Sequence, residues 1–452
     1  RSSQFRVRPQ VVLFPASRND VNIETDGSSW FGGLPTLGDK NWPLAHNQSL
    51  MHFVAQIDVR ELATLDMPDG FPVIGSLAFF VDVAEWPYSG AVVYIPKNDL
   101  PVTQPIEPLP RLFRTQDGSG YDMPGYTKDN APRQFPRWPM TFEPIEDAGD
   151  EHETHDYSDA IAALFPDEDE RYFLTPEHYK KTAPELGTPS HWDTAHRFAN
   201  LLTNSRAHIL ENIKHKRTVV DAWPAQYEAL QHEAESIVSL TRRKNETAAE
   251  FDVRSQKLAT DFAKKEQRLH ALNDVNVAAL SYMTENIEVF ADLAVSVNKW
   301  AFAHDQWDEM YAADVAELEN KIAEVAKALG DETPGLHLFM LKNPHMTSFL
   351  SETLQAMVQA PDPVFQKLPQ AVRDDFDRLG RIGRLKYRHQ MFGTADTVEA
   401  SENREGQHLL LRLDRDNAVN WLWGDSGAHF WIKPEDLENQ RWGNVEVVIG
   451  EQ

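Results

Sequence analysis

From Ala225 to Leu329 the chain runs 105 residues without a Gly or a Pro, and between Pro189 and Gly330 the one interruption is Pro224. These are the two strongest breakers of a helix, so a stretch this long without either reads as helical. The apolar spacing agrees: Leu280, Met283, Ile287, Phe290, Ala294 and Val297 step by alternating threes and fours, as do Val315, Leu318, Ile322, Val325 and Leu329. Such steps are heptad seams. A single helix of that length would extend about 160 Å at ~1.5 Å per residue. Polar residues at seam positions (Thr241, Lys244, Ser255, Lys265) and the turn-like Asn273-Asp274-Val275-Asn276 predict a folded-back hairpin or bundle instead. Three or four helices are expected, from about His191 to Trp223 and then from Ala225 onward. Gly330 to Pro334 closes the block, and amphipathic segments near His345–Gln359 and Pro363–Leu385 lead out of it.

The flanks read differently. Up to Pro189, Gly and Pro are frequent, and Val11–Phe14, Met51–Ile57, Ser76–Val83 and Ala91–Ile95 are short apolar runs between turns, the signature of strands. From Tyr387 strand character returns at Leu409–Leu413, His429–Ile432 and Val445–Ile449. The expected fold class is α+β. Both chain ends, residues 1–189 and 386–452, form one β-rich domain, interrupted at 190–385 by a long helical bundle or coiled-coil insertion. Closing a surface loop over such an insertion costs only about 0.6 kcal/mol per doubling of length.

Charge and composition remove several functions. With 70 Asp plus Glu against 44 Lys plus Arg the net charge is -26, which repels a phosphate backbone, so no nucleic acid is expected as a partner. Zero Cys excludes disulfides, thiolate zinc sites, iron-sulfur clusters and a Cys nucleophile. No apolar run approaches the ~18 residues of a membrane span, so no membrane partner is expected. Arg1 to Arg8 show no apolar leader core, and the expected location is cytoplasmic.

The two β-rich ends echo each other. Phe53-Val54-Ala55-Gln56-Ile57-Asp58 is followed by Gly75-Ser76-Leu77-Ala78-Phe79-Phe80, and Leu409-Leu410-Leu411-Arg412-Leu413-Asp414 by Gly427-Ala428-His429-Phe430-Trp431. Internal duplication and coincidence both account for so short an echo. These residues also carry a resemblance. Trp30-Phe31-Gly32-Gly33-Leu34-Pro35, Trp42-Pro43, Ala55 to Asp58 and Gly75 to Phe80 resemble the N-terminal half of the bacterial YwqG-like family. His389-Gln390-Met391-Phe392-Gly393, Leu409 to Asp414, Trp423-Gly424-Asp425-Ser426-Gly427 and Phe430-Trp431-Ile432 resemble its C-terminal half. The resemblance covers about a third of the chain and implies an α+β domain of unknown function. Some relatives have been proposed, from gene neighbourhoods, to be immunity proteins. It supplies no catalytic residues, and the helical block departs from the compact family pattern.

Each motif has a structural and a functional reading. Trp423 beside Asp425 could grip a sugar or peptide, the ring stacking while the acid orients it. The turn geometry of Gly424 and Gly427 is the simpler account. Trp30-Phe31-Gly32-Gly33 is either a close backbone approach to a ligand or a tight loop under an aromatic cluster. Glu143 to Glu170 holds 12 acidic residues and no Lys or Arg, but lacks calcium-loop spacing. His152 and His155 stand three apart, against the four that a zinc-protease helix needs. Arg378 to Arg388 and Arg242-Arg243-Lys244 read as solvated or internally paired basic runs, the latter as a helix face or loop tip. No Gly-x-Ser-x-Gly elbow or Gly-x-Gly-x-x-Gly fingerprint occurs.

The expected function is therefore a non-catalytic protein-binding or adaptor role, immunity-like in one version, with the helical arm as partner surface and a basic protein as partner. No metal and no cofactor are expected. The alternative is a hydrolase or carbohydrate-binding protein with a site between the two YwqG-like halves, and a third reading is a helical spacer. The ligand-contacting residues expected for such a site are Trp30, Gln56, Asp58, Trp423, Asp425 and His429.

Overall fold

The computed structural model describes residues 10–65, 67–83, 89–112, 125–145, 189–329, 346–384, 389–393, 404–414, 416, 419–421 and 427–449. Two compact units divide the chain. Both chain ends, up to Thr194 and from Thr347, make one, and Ala195–Met346 make the other.

The first unit is built on one antiparallel sheet of ten strands: β1 Gln10–Pro15, β2 Trp30–Phe31, β3 His52–Asp58, β4 Ser76–Val81, β5 Gly90–Ile95, β6 Trp138–Ile145, β7 His389–Met391, β8 His408–Leu413, β9 Ala428–Ile432 and β10 Glu446–Ile449. The expected α+β class and the pairing of the two ends are thus present. β2, β6 and β7 were not foreseen, because two- and three-residue strands carry no period and β6 contains Pro139 and Pro144. Every described residue of β3, β4 and β9 is buried, so both faces are covered, and continuous apolar runs replace alternation.

Strand order is β10-β9-β8-β7-β1-β6-β2-β3-β4-β5. Read outward from the central β1–β6 pair, the two sides match: β6, β2, β3, β4, β5 on one and β1, β7, β8, β9, β10 on the other. The β3–β4 register slips between Phe53 and Ala55, and the β8–β9 register slips between Leu409 and Leu411. His52 to Asp58 therefore stands in the same place as His408 to Asp414, with the bulge at the same step. Phe79 opposes Ala55 as Phe430 opposes Leu411, so Ser76, rather than Gly75, is the counterpart of Gly427. The sheet's two edges come back together. A Cβ on Gly90 of β5 would lie 2.7 Å from Val447 of β10, and the Tyr94 and Trp442 rings are 6.0 Å apart.

Inside the curl Phe79 packs edge-on against Phe430 with centroids 5.1 Å apart. Trp421 meets Phe31 at 5.1 Å and Phe135 at 6.5 Å. On the other face of the first half-sheet Trp30, Phe53 and Phe80 join Leu37, Trp42, Leu50 and Leu109 in a second core. Four helices, α5 Met346–Gln359, α6 Asp362–Phe365, α7 Gln370–Arg384 and the short α8 Pro434–Glu438, are described in this unit, the first three in succession before β7. Buried Arg18 ties α5 and α6 to the chain after β1: its Nε donates to Val358 O, Nη2 to Ala360 O and Nη1 to Asp362, and it stacks over Phe365.

In the helical unit, α1 Trp192–Asp221 and α2 Trp223–Val238 run one way and α3 Ala248–Ala301 runs back, with α4 Ala312–Leu329 following. Asn298 meets Thr203, Lys216 meets Asn276, Tyr227 meets His270 and Glu233 meets Lys265. That ordered ladder is an antiparallel hairpin. Met283, Phe290, Ala294 and Val297, and Leu318, Ile322 and Val325, are buried as the seam spacing requires. The turn expected at Asn273–Asn276 is instead inside α3, where buried Asn276 accepts from Lys216 Nζ at 2.6 Å. One satisfied Asn in a long helix costs only a few tenths of a kcal/mol in propensity. The reversal comes at 239–247, where Arg242, Arg243 and Lys244 form an exposed loop tip. Its backbone is held by Glu246, which accepts from the Arg254 guanidinium and from Arg243 N and is thereby drawn down to a pKa of about 2.

Candidate functional site

Trp30, Gln56 and Asp58 are brought together on the first half-sheet. Trp30 opposes Gln56 across β2–β3, and Asp58 lies two residues on, on the same face. Their polar atoms are taken up locally. Gln56 Oε1 accepts from Thr36 N at 2.8 Å, and its Nε2 donates to Thr36 Oγ1 and Ser76 Oγ. Asp58 caps the turn Val59–Leu62, accepting from Arg60 N at 2.9 Å and from the Arg60 guanidinium at 2.6 Å. Trp30 is 7% exposed, donates its Nε1 proton to Leu34 O and lies under the Arg137 guanidinium at 4.9 Å. Burial lowers Arg137 to a pKa of about 10, partly opposed by Asp26. Its nitrogens donate to Ile23 O and Asp26 O.

His429 is in the other half. Fully buried on β9, it opposes Arg412 of β8, which opposes Gln390 of β7. The counterpart row of the first half is Ala78, Gln56 and Trp30. Trp423 and Asp425 lie outside the described residues, in the connection between Trp421 and β9, as do His152 and His155.

The residue pattern did not single out the best-formed polar group, at the end of β7. His389 is 1% exposed, and its Nδ1 accepts from Asp414 N at 3.2 Å. That bond puts the proton on Nε2, which donates to Asp416 Oδ2 at 3.0 Å. Asp416 and Trp421 exchange both backbone hydrogen bonds, and the Trp421 ring stands edge-on to His389 at 5.2 Å. In the first half, Ser29 holds the matching place. Its Oγ accepts from Asp58 N at 2.8 Å and donates to the Glu61 carboxylate. Each half-sheet thus carries a lock in which one side chain accepts the amide proton of the strand-ending Asp and reaches a carboxylate two or three residues further along. The repeated His-x-x-x-x-[Ile/Leu]-Asp run was the signal that could have located both.

Chemically, His389 is not poised to take a proton from a nucleophile, because its one acceptor nitrogen already accepts a backbone amide proton. A third buried imidazole, His52, donates from Nε2 to Pro110 O at 3.0 Å, and burial lowers its pKa to about 4, so it stays neutral. Among the described residues no group of three or more His, Asp or Glu is placed to hold a metal ion. Among them, too, no helix is long and apolar enough to cross a membrane.

A family model described as a domain of unknown function, DUF1963, matches residues 29–449, most of the chain and every strand but β1. No curated protein matches the sequence.

Proposed function

The chain belongs to the family of domain of unknown function DUF1963, and from its own geometry we propose that it is a non-catalytic protein-binding adaptor whose helical arm is the partner surface. The observation that carries this reading is the uneven packing of the arm. Toward the base, Phe198, Leu202, Ile209, Met283, Phe290 and Val297 are buried. Between Ala222 and Leu272 the one buried residue is Leu230, while Val238, Val253 and Leu272 are 88%, 69% and 53% exposed. A two-helix hairpin that buries so little has weak support of its own and exposes apolar surface, which marks interaction sites.

Two further points support the reading. The polar atoms of Gln56, Asp58 and His389 are engaged by the protein itself, which leaves the hydrolase alternative without an available base among them. A net charge of -26 speeds association with a basic partner at low salt. A YwqG-like, bacterial, cytoplasmic setting goes with the proposal. The test is capture from native lysate with the full chain beside one whose residues 222–272 are replaced by a short Gly-Ser turn. A stoichiometric partner lost with the distal hairpin is expected, and capture indifferent to the replacement would refute the role of the arm.

A further inference from the structure

One side of the distal hairpin carries small apolar residues toward its tip. Tyr227, Gln231, Ala234 and Val238 on α2 are spaced i, i+4, i+7, i+11 and share a face, and Ala259, Ala263, Glu266 and His270 on α3 repeat the spacing. Tyr227 and His270, with ring centroids 5.5 Å apart, put both stripes on the same side. Antiparallel pairing then sets Ala234 level with Ala263 and Val238 level with Ala259. The result is an open groove: Val238, Ala259 and Ala263 are exposed, and Tyr227 is 38% exposed. Small side chains along its floor let another helix approach closely. Near the base of the arm α4 supplies a third helix, with Lys321 over the Trp300 ring at 5.2 Å. Among the described residues nothing supplies one to the distal half.

We infer that the occupant of this groove is a second copy of the chain, two distal hairpins pairing across a two-fold axis into a four-helix bundle, an inference that rests on the arm being a partner surface. Charge is the first reason. In a chain of -26, residues 222–272 hold eight Lys plus Arg and eight Asp plus Glu, so two copies meet here without net repulsion. Charge further away than the ~8 Å Debye length at physiological salt is largely screened. Shape is the second. A two-fold contact must be self-complementary, and this groove is bulky at the Tyr227–His270 end and slight at the Val238–Ala259 end. In an antiparallel pair each bulky end lies over the other copy's slight end, with Ala234 and Ala263 near the axis. Size is the third. The face is two helices wide along the 16 residues of α2, about 24 Å, and so offers about 480 Å² per copy, the size of a small interface that forms and parts reversibly.

The test is sedimentation velocity on the full chain across the micromolar range, with hydrogen exchange followed at each concentration. A reversible dimer is expected, with exchange in Trp223–Val238 slowing as concentration rises. Ala263→Arg fills the groove and weakens the dimer by roughly tenfold or more, Tyr227→Ala weakens it less, and circular dichroism verifies that both keep their helices. Lys257→Ala, on the other side of α3, leaves it unchanged. A monomer at every concentration, a dimer indifferent to both groove variants, or protection confined to the sheet unit would each overturn the inference. A monomer that still loses a lysate partner on Ala263→Arg would refute self-pairing and leave the arm reading standing. A monomer that loses none would remove both.

Discussion

The two halves of the sheet share a strand order, a bulge position and a strand-end lock, yet fill the lock with different chemistry. The first half uses a hydroxyl, Ser29, against Asp58 N and Glu61. The second uses an imidazole, His389, against Asp414 N and Asp416, wrapped by Phe31 and Trp421. The hydroxyl leaves the Asp58 carboxylate to cap a turn and pair with half-exposed Arg60. The larger ring reaches the isolated Asp416–Trp421 bridge and holds it in the interior. The lesson is that backbone geometry is what the halves have in common, and side-chain size decides which piece of chain each half can fasten.

The largest contrast is expected where the halves demand the same backbone from different residues. Gly32 has φ +56° and its counterpart Phe392 has φ +57°. A Cβ on Gly32 would lie 2.1 Å from Pro136 O, so Gly32→Ala should cost roughly 4 kcal/mol in urea unfolding. Phe392→Gly gives up its packing but relieves the φ strain. Equal losses at Gly32→Ala and Phe392→Gly would erase the distinction.

Next in size is acid sensitivity. His52 is neutral in the fold, with a pKa of about 4 against 6.5 when free, so below pH 6.5 the unfolded chain binds the extra proton. Stability should therefore fall as pH drops from 6.5 to 4, by about 3 kcal/mol from this residue. His52→Phe should flatten that slope. An unchanged slope in the His52 variant would show that its burial is not what acid attacks.

The locks themselves come third. His389→Ala removes two hydrogen bonds and the ring contacts and is expected to cost about 2–3 kcal/mol. Ser29→Ala should be mildest, at about 1 kcal/mol, because the hole is small. Equal effects on the unfolding midpoint would mean that ring size contributes nothing to fastening the second half.

Much of the architecture was legible. Heptad steps located α3 and α4, since helix burial repeats along the chain itself, and seven of the ten strands announced themselves as apolar runs. Of the polar seam residues, Thr241 and Lys244 fall at the reversal while Ser255 and Lys265 lie inside α3, as does Asn273-Asp274-Val275-Asn276, where Lys216 on another helix satisfies Asn276. The candidate site was less legible. Gln56 and Asp58 were singled out as ligand contacts, and their partners Thr36, Ser76 and Arg60 are what occupy them.

The amino-acid order by itself determined the period of each helix, the apolar strands, the absence of thiol chemistry and the charge of -26, all properties summed over neighbours in sequence. Tertiary structure alone decided that β6 joins β1, that Ser29 and His389 hold equivalent places, and that the distal arm is left thinly packed. Those facts depend on which distant segments meet, and a side chain's donors, acceptors and exposure are settled only when its partners arrive.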